Sequence, residues 1–361
     1  MAESPLSTLA AYSAKPTLRV DGQDLARVTE LAVALELTES EGGLSALELR
    51  LSNVASDPQG GSDFAFEDDQ ILHLGAALAV YSGDETAPRE IFQGVITGLE
   101  ADFPERAPAE LVVLAEDVFQ RARMKRRTAI HPDICVKDVA TALASQLGLT
   151  PVVTGFTDTI GTWMQLNESD LAFLRRLLQR HDGDLHVVGT ELHVAPRGDV
   201  QRGSLELELH GQLRRARVLA DLAHQVSEVT VTGWDPGQGK RVSGTSTGAH
   251  AGPGAGRRGT ERLRAALGER SEHIGFLAVS RDAEAQALAD AAFDRRARRF
   301  VRVAGTAEGN AALRVGTHVT LRGLGPRFDN VYYVTRACHR WDVASAYETD
   351  FEAECAFLGG A

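Results

Sequence analysis

The chain has 361 residues, 43% of them hydrophobic and 24% charged, which is the balance of an ordinary globular protein rather than a disordered or membrane-spanning one. A formal net charge of −12 argues against an electrostatic footprint for nucleic acid, and three cysteines without CxxC spacing argue against a disulfide framework or a zinc knuckle. No run approaches the roughly 18 uncharged apolar residues of a spanning helix, and MAESPLSTLAAYSAKP lacks a basic stretch before its short apolar run, so neither membrane insertion nor a signal peptide is expected.

The length calls for two or three cooperating units. The first is read from alternating apolar and polar positions. Leu31–Leu37 and Leu44–Leu51 flank Glu41-Gly42-Gly43, the pattern of a β-hairpin. Further strands are predicted at Ile71–Tyr81, Glu90–Leu99 and Ala109–Ala115, separated by the turn formers Gly83-Asp84 and Pro104 to Pro108. Residues 1–118 therefore read as a first β-barrel-like domain.

The texture changes at residue 136. Val136, Val139, Ala140, Leu143, Ala144 and Leu147 recur at helical spacing, with Gly148 where a helix C-terminal glycine belongs. Asn167-Glu168-Ser169-Asp170 supplies a cap and an acidic first turn for a second helix carrying Leu171, Leu174, Leu177 and Leu178 on one face. Leu185–Val188 and Leu192–Val194 around Gly189-Thr190 form a short hairpin closed by Pro196. These elements make residues 119–198 an α/β insert module.

Residues 199–361 read as a second β-barrel-like domain. Strands are predicted at Leu205–Leu209 and Val226–Thr232, then at Phe300–Ala304, His318–Arg322, Val331–Arg336 and Tyr347–Phe357. The glycine-rich stretch 243–260 has no periodicity and is expected to be a weakly ordered surface loop. A helical excursion at about 281–299 ends in the cluster Arg295, Arg296, Arg298 and Arg299. The fold class is thus mainly β with an α/β insertion.

Several residues invite a chemical reading, and each has a structural one beside it. His131, Asp133 and Cys135 match no known metal-ligand spacing. Cys338 and His339 are strand neighbours that point to opposite faces, so a buried thiol beside a surface imidazole is expected instead of a nucleophile with its base. Glu168 and Asp170 could be a glycosidase pair, but a helix's first turn already accounts for acidic residues. Glycines 248, 252, 254, 256 and 259 lack the GK[ST] ending of a phosphate-binding loop. The Arg295–Arg299 cluster reads as a solvated helix end or as salt bridges to a neighbouring subunit, and Arg121–Arg127 as an inter-subunit or tube contact. No catalytic, cofactor-binding or metal residue is assigned.

Three segments, in order, resemble the phage late control protein D and VgrG family of baseplate hub proteins. They are Glu90-Ile91-Phe92-Gln93-Gly94-Val95-Ile96; Gln165 to Leu174 with the strand Leu192–Arg197 behind it; and Leu313 to Leu321 followed by Asn330-Val331-Tyr332-Tyr333-Val334 and His339. The resemblance implies a structural role without catalysis or cofactor: a homotrimer, each subunit giving two tube-type β domains, that adapts an inner tube protein to a spike among other baseplate components. Larger members continue into a spike, whereas this sequence stops at Gly360-Ala361, so a separate spike protein is expected. Assembly in the cytoplasm and release within a phage-like particle follow from the same resemblance, which leaves phage virion and domesticated injection particle both open. The alternative from another class is a cell-wall-active enzyme or peptidoglycan-binding module, suggested by the α/β insert.

Overall fold

In a computed structural model, residues 15–56, 62–66, 69–82 and 89–359 are described. Strand exceeds helix, 47% to 19%, which makes the chain mainly β. Among the described residues no helix is long and apolar enough to cross a membrane. The residues cluster into two compact units, the first made of the described part of 1–121 with 306–314 and 336–351, the second of 122–305, 315–335 and 352 onward.

The first unit is an antiparallel sheet. Ala32–Ser40 and Ser45–Ser52 form the expected hairpin, with Leu35 opposite Leu49 and Leu37 opposite Leu47. Glu110–Glu116 pairs with the second of these strands and with Arg89–Asp102, which in turn pairs with Ala77–Ser82. Alternation puts Leu37, Leu49 and Val113 on the buried side, where they join Leu18, Val80, Ile91 and Trp341 in one apolar core. The expected strand at Ile71–Tyr81 begins only at Ala77, because the chain turns through Gly75 at φ +92°, a region that favours glycine. The turn formers Gly83 and Asp84 lie outside the described residues. No closed barrel is found.

The grouping differs from the boundaries 1–118, 119–198 and 199–361 in one main respect. Residues 336–351 belong with the N-terminal sheet because Arg336–Asp342 pairs antiparallel with Ala32–Ser40, placing Cys338 opposite Thr38 and Trp341 opposite Leu35. Arg314 joins them by a paired contact to the buried Glu39 carboxylate.

The second unit contains the α/β module. Helix Val136–Leu147 ends on Gly148 in the left-handed conformation, and helix Asp170–Arg180 starts at Ser169, whose hydroxyl accepts the Ala172 amide. A three-stranded sheet orders Thr150–Val153, Glu191–Pro196 and Gly183–Val188. Arg126–His131 and Trp163–Ser169 form a separate two-stranded ribbon.

The rest of this unit centres on helix Asp282–Arg298, packed on strands Glu228–Asp235 and Lys240–Ser246. The stretch 243–260 is not a loose loop. Its first residues belong to the second of those strands. The Asp294 carboxylate then accepts the amides of Ala249 and His250, Asn330 holds both backbone groups of Ala255, and Gly259 opens a helix to Leu267. Small residues serve packing here: a Cβ at Gly244 would overlap the helix backbone at Ala285 and Gln286.

Candidate functional site

The residues singled out for chemistry are engaged elsewhere. His131 stacks on Phe173 at 4.8 Å and meets the Gln165 side chain at 3.1 Å. Among the described residues no group of three or more His, Cys, Asp or Glu is placed to hold a metal. All three cysteines are free and buried, and burial pushes each thiol's pKa up, that of Cys355 to about 12. A protonated thiol is a poor nucleophile and a poor ligand.

His339 departs from the expected surface imidazole. It is fully buried, its Nδ1 facing the hydroxyls of Tyr347 at 2.8 Å and Thr349 at 3.2 Å. Burial, then the charge of Arg314, pushes its pKa down to about 4. The strand is covered on both faces at this point, so Ala337, Cys338 and His339 are all buried despite alternation.

Glu168 receives two hydrogen bonds from Arg176, at 3.1 and 2.8 Å, and Asp170 receives Arg127 at 2.5 Å and Gln165 at 3.0 Å. Neither carboxyl is free to act as an acid or a nucleophile. The basic cluster at the end of the long helix is likewise committed within the chain. Arg298 forms a bidentate pair with Asp182 and reaches Glu354, which also receives Arg197, while Arg296 pairs with Glu272. The solvated or inter-subunit role expected for this cluster is therefore corrected: its charge is neutralised by carboxylates far away in sequence.

The feature of the second unit most suited to recognition is a groove of about 1370 Å³. One wall is the Trp163–Ser169 strand with helix Asp170–Arg180 behind it, and the other runs through Thr232, Gly233 and Trp234 and the segment 275–280. The indole N–H of Trp163 donates to the Ile160 carbonyl, and Arg176 and Arg180 lie over its ring at 5.5 and 5.2 Å. Arg180 also donates to the Ala278 carbonyl at 2.7 Å and to Glu284 at 3.0 Å, fixing the walls to each other. Trp234 is held through its amide by the Val279 carbonyl, yet is 59% exposed, and Met164 and Leu166 are 54% and 62% exposed. Sequence reasoning missed this groove. Its one legible signal was the alternation of Met164 and Leu166 with polar neighbours, which marked a strand but not an uncovered face.

The sequence matches the family described as the Alg8 N-terminal domain over residues 17–342. The chain belongs to that family. No curated protein matches it. Among solved structures it is similar to the 43 kDa tail protein of prophage MuSo2 from Shewanella oneidensis, at 13% identity and TM-score 0.66, with 94% of this chain and 97% of that one covered. A tail protein of Neisseria meningitidis MC58 is similar at 12% identity and TM-score 0.65, covering 94% and 96%. An E. coli protein described as a component of the type VI secretion system, structurally similar to bacteriophage T4 tail proteins, is similar at 16% identity and TM-score 0.54, covering 95% and 79%. The fold is thus that of phage tail and baseplate proteins and their type VI relatives, which agrees with the baseplate hub resemblance carried by the three sequence segments.

Proposed function

We propose that this chain is a structural hub subunit of a contractile, phage-tail-like injection apparatus, assembling as a homotrimer between an inner tube protein and a spike. The observation that carries this reading is the fold shared, nearly end to end on both sides, with a prophage tail protein. The second support is local: the residues that could have suggested wall hydrolysis, Glu168 and Asp170, are tied into ion pairs. In this reading the two units supply tube-like β domains whose strand edges meet neighbouring subunits, and Arg121 to Arg127 faces a neighbour or the tube.

Light scattering on the purified chain, alone and mixed with separately purified tube and spike candidates, tests the proposal. The expected result is a mass about three times 38.8 kDa that captures the spike. A monomer indifferent to both partners would overturn it.

A further inference from the structure

The groove of the second unit is too large for a small ligand, since small-molecule sites enclose roughly 300–1,000 Å³ and this one has about 1370 Å³. Its apolar content is out of place on a solvent surface. Trp234, Met164 and Leu166 are each more than half exposed and line the same depression, and contiguous exposed apolar surface marks contact sites.

Its charge is also distinctive. The two carboxylates on the walls are already neutralised, Glu168 by Arg176 and Glu284 by Arg180. Arg126, a third lining cation, reaches only the Asn167 carbonyl at 3.4 Å. A locally cationic groove in a chain of net charge −12 complements an anionic guest.

We propose that this groove receives an extended segment of a partner protein that carries bulky apolar side chains beside acidic ones. The apolar side chains cover Trp234, Met164 and Leu166, and a carboxylate pairs with Arg126. The arginine clasp from the helix Asp170–Arg180 to Ala278 and Glu284 fixes the walls beforehand, which lowers the ordering cost of binding. A nucleic-acid strand fits less well, because it brings a charge with every nucleotide to a strongly acidic protein. A glycan fits less well because the Trp163 indole N–H and both wall carboxylates, the groups that would fix sugar hydroxyls, are already engaged. The assignment uses the second unit alone and stands whether or not the chain is a trimeric hub.

The test uses the full chain and labelled synthetic peptides of about 12 residues, roughly 40 Å extended, in which Glu alternates with Leu and Trp. The same peptides with Lys for Glu, and an oligothymidine strand, are measured alongside by fluorescence anisotropy. The acidic peptides are expected to bind with Kd below about 100 μM. Trp234→Ala is expected to weaken them about tenfold or more, and Arg126→Glu to weaken them while favouring the Lys series. Both side chains are surface groups, and an unchanged melting profile shows that the variants fold. The proposal is overturned if the acidic series binds no better than the Lys series, if Trp234→Ala leaves binding intact, or if the oligonucleotide is the preferred guest.

Discussion

Replacing Arg298 by methionine removes the centre of a buried ion cluster without leaving a large cavity. The Arg298 side chain is only 5% exposed and donates to Asp182 at 2.7 and 2.8 Å and to Glu354 at 3.3 Å. Without it Glu354 retains Arg197 at 2.9 Å, whereas the Asp182 carboxylate loses both of these bonds while remaining mostly buried. Removing one partner of a buried pair costs about 3–5 kcal/mol. Asp182 keeps some water, its side chain being 15% exposed, so the lower end, about 3 kcal/mol, is expected. A loss of that size moves the thermal midpoint of a domain of 150–250 residues by roughly 6–12 °C. Asp182→Asn tolerates the native φ of +51° and removes the complementary charge. The double variant should therefore lose less than the sum of the singles, by about 1 kcal/mol or more. Urea and thermal melts of the four proteins measure the cycle. A loss below about 1 kcal/mol for Arg298→Met, or strict additivity, would refute the reasoning.

Two further outcomes are expected. Folded His339 stays neutral down to about pH 4, while an unfolded imidazole protonates near 6.5. The unfolded state therefore binds more protons between those values, so this residue's stabilisation is complete above about pH 6.5 and is lost as pH falls toward 4, on the order of 3 kcal/mol in all. His339→Gln should flatten that part of the urea-midpoint profile, and an unchanged slope counts against it. Gly244→Ala should cost about 1–3 kcal/mol by driving helix Asp282–Arg298 off its strand; an unaltered melting temperature would show that the helix has room to spare.

Elements specified by nearby residues were the legible ones. The hairpin around Gly42-Gly43, the Ser169 cap and the Gly148 stop each depend on groups within a few positions. Strand Leu213–Ala220 escaped notice because it terminates the sheet and its exposed positions carry arginines, which blurs alternation. Strand Lys240–Ser246 escaped because its buried positions are Val242, Gly244 and Ser246, made small by the helix above them, and small residues read as a linker. Neither the burial of His339 nor the pairing of Arg298 with Asp182 has a local cue, since both arise from contacts that only the tertiary fold creates.

The pairing of Ala32–Ser40 with Arg336–Asp342 sets a schedule for synthesis. Thr38 leaves the ribosome 300 residues ahead of Cys338, its partner across the sheet. At roughly 5–20 residues per second, that strand edge waits about 15–60 s before its neighbour exists. During that interval the nascent chain exposes backbone donors and acceptors along an apolar hairpin, so its yield in a cell should depend on chaperone supply and on translation speed more steeply than its final stability suggests.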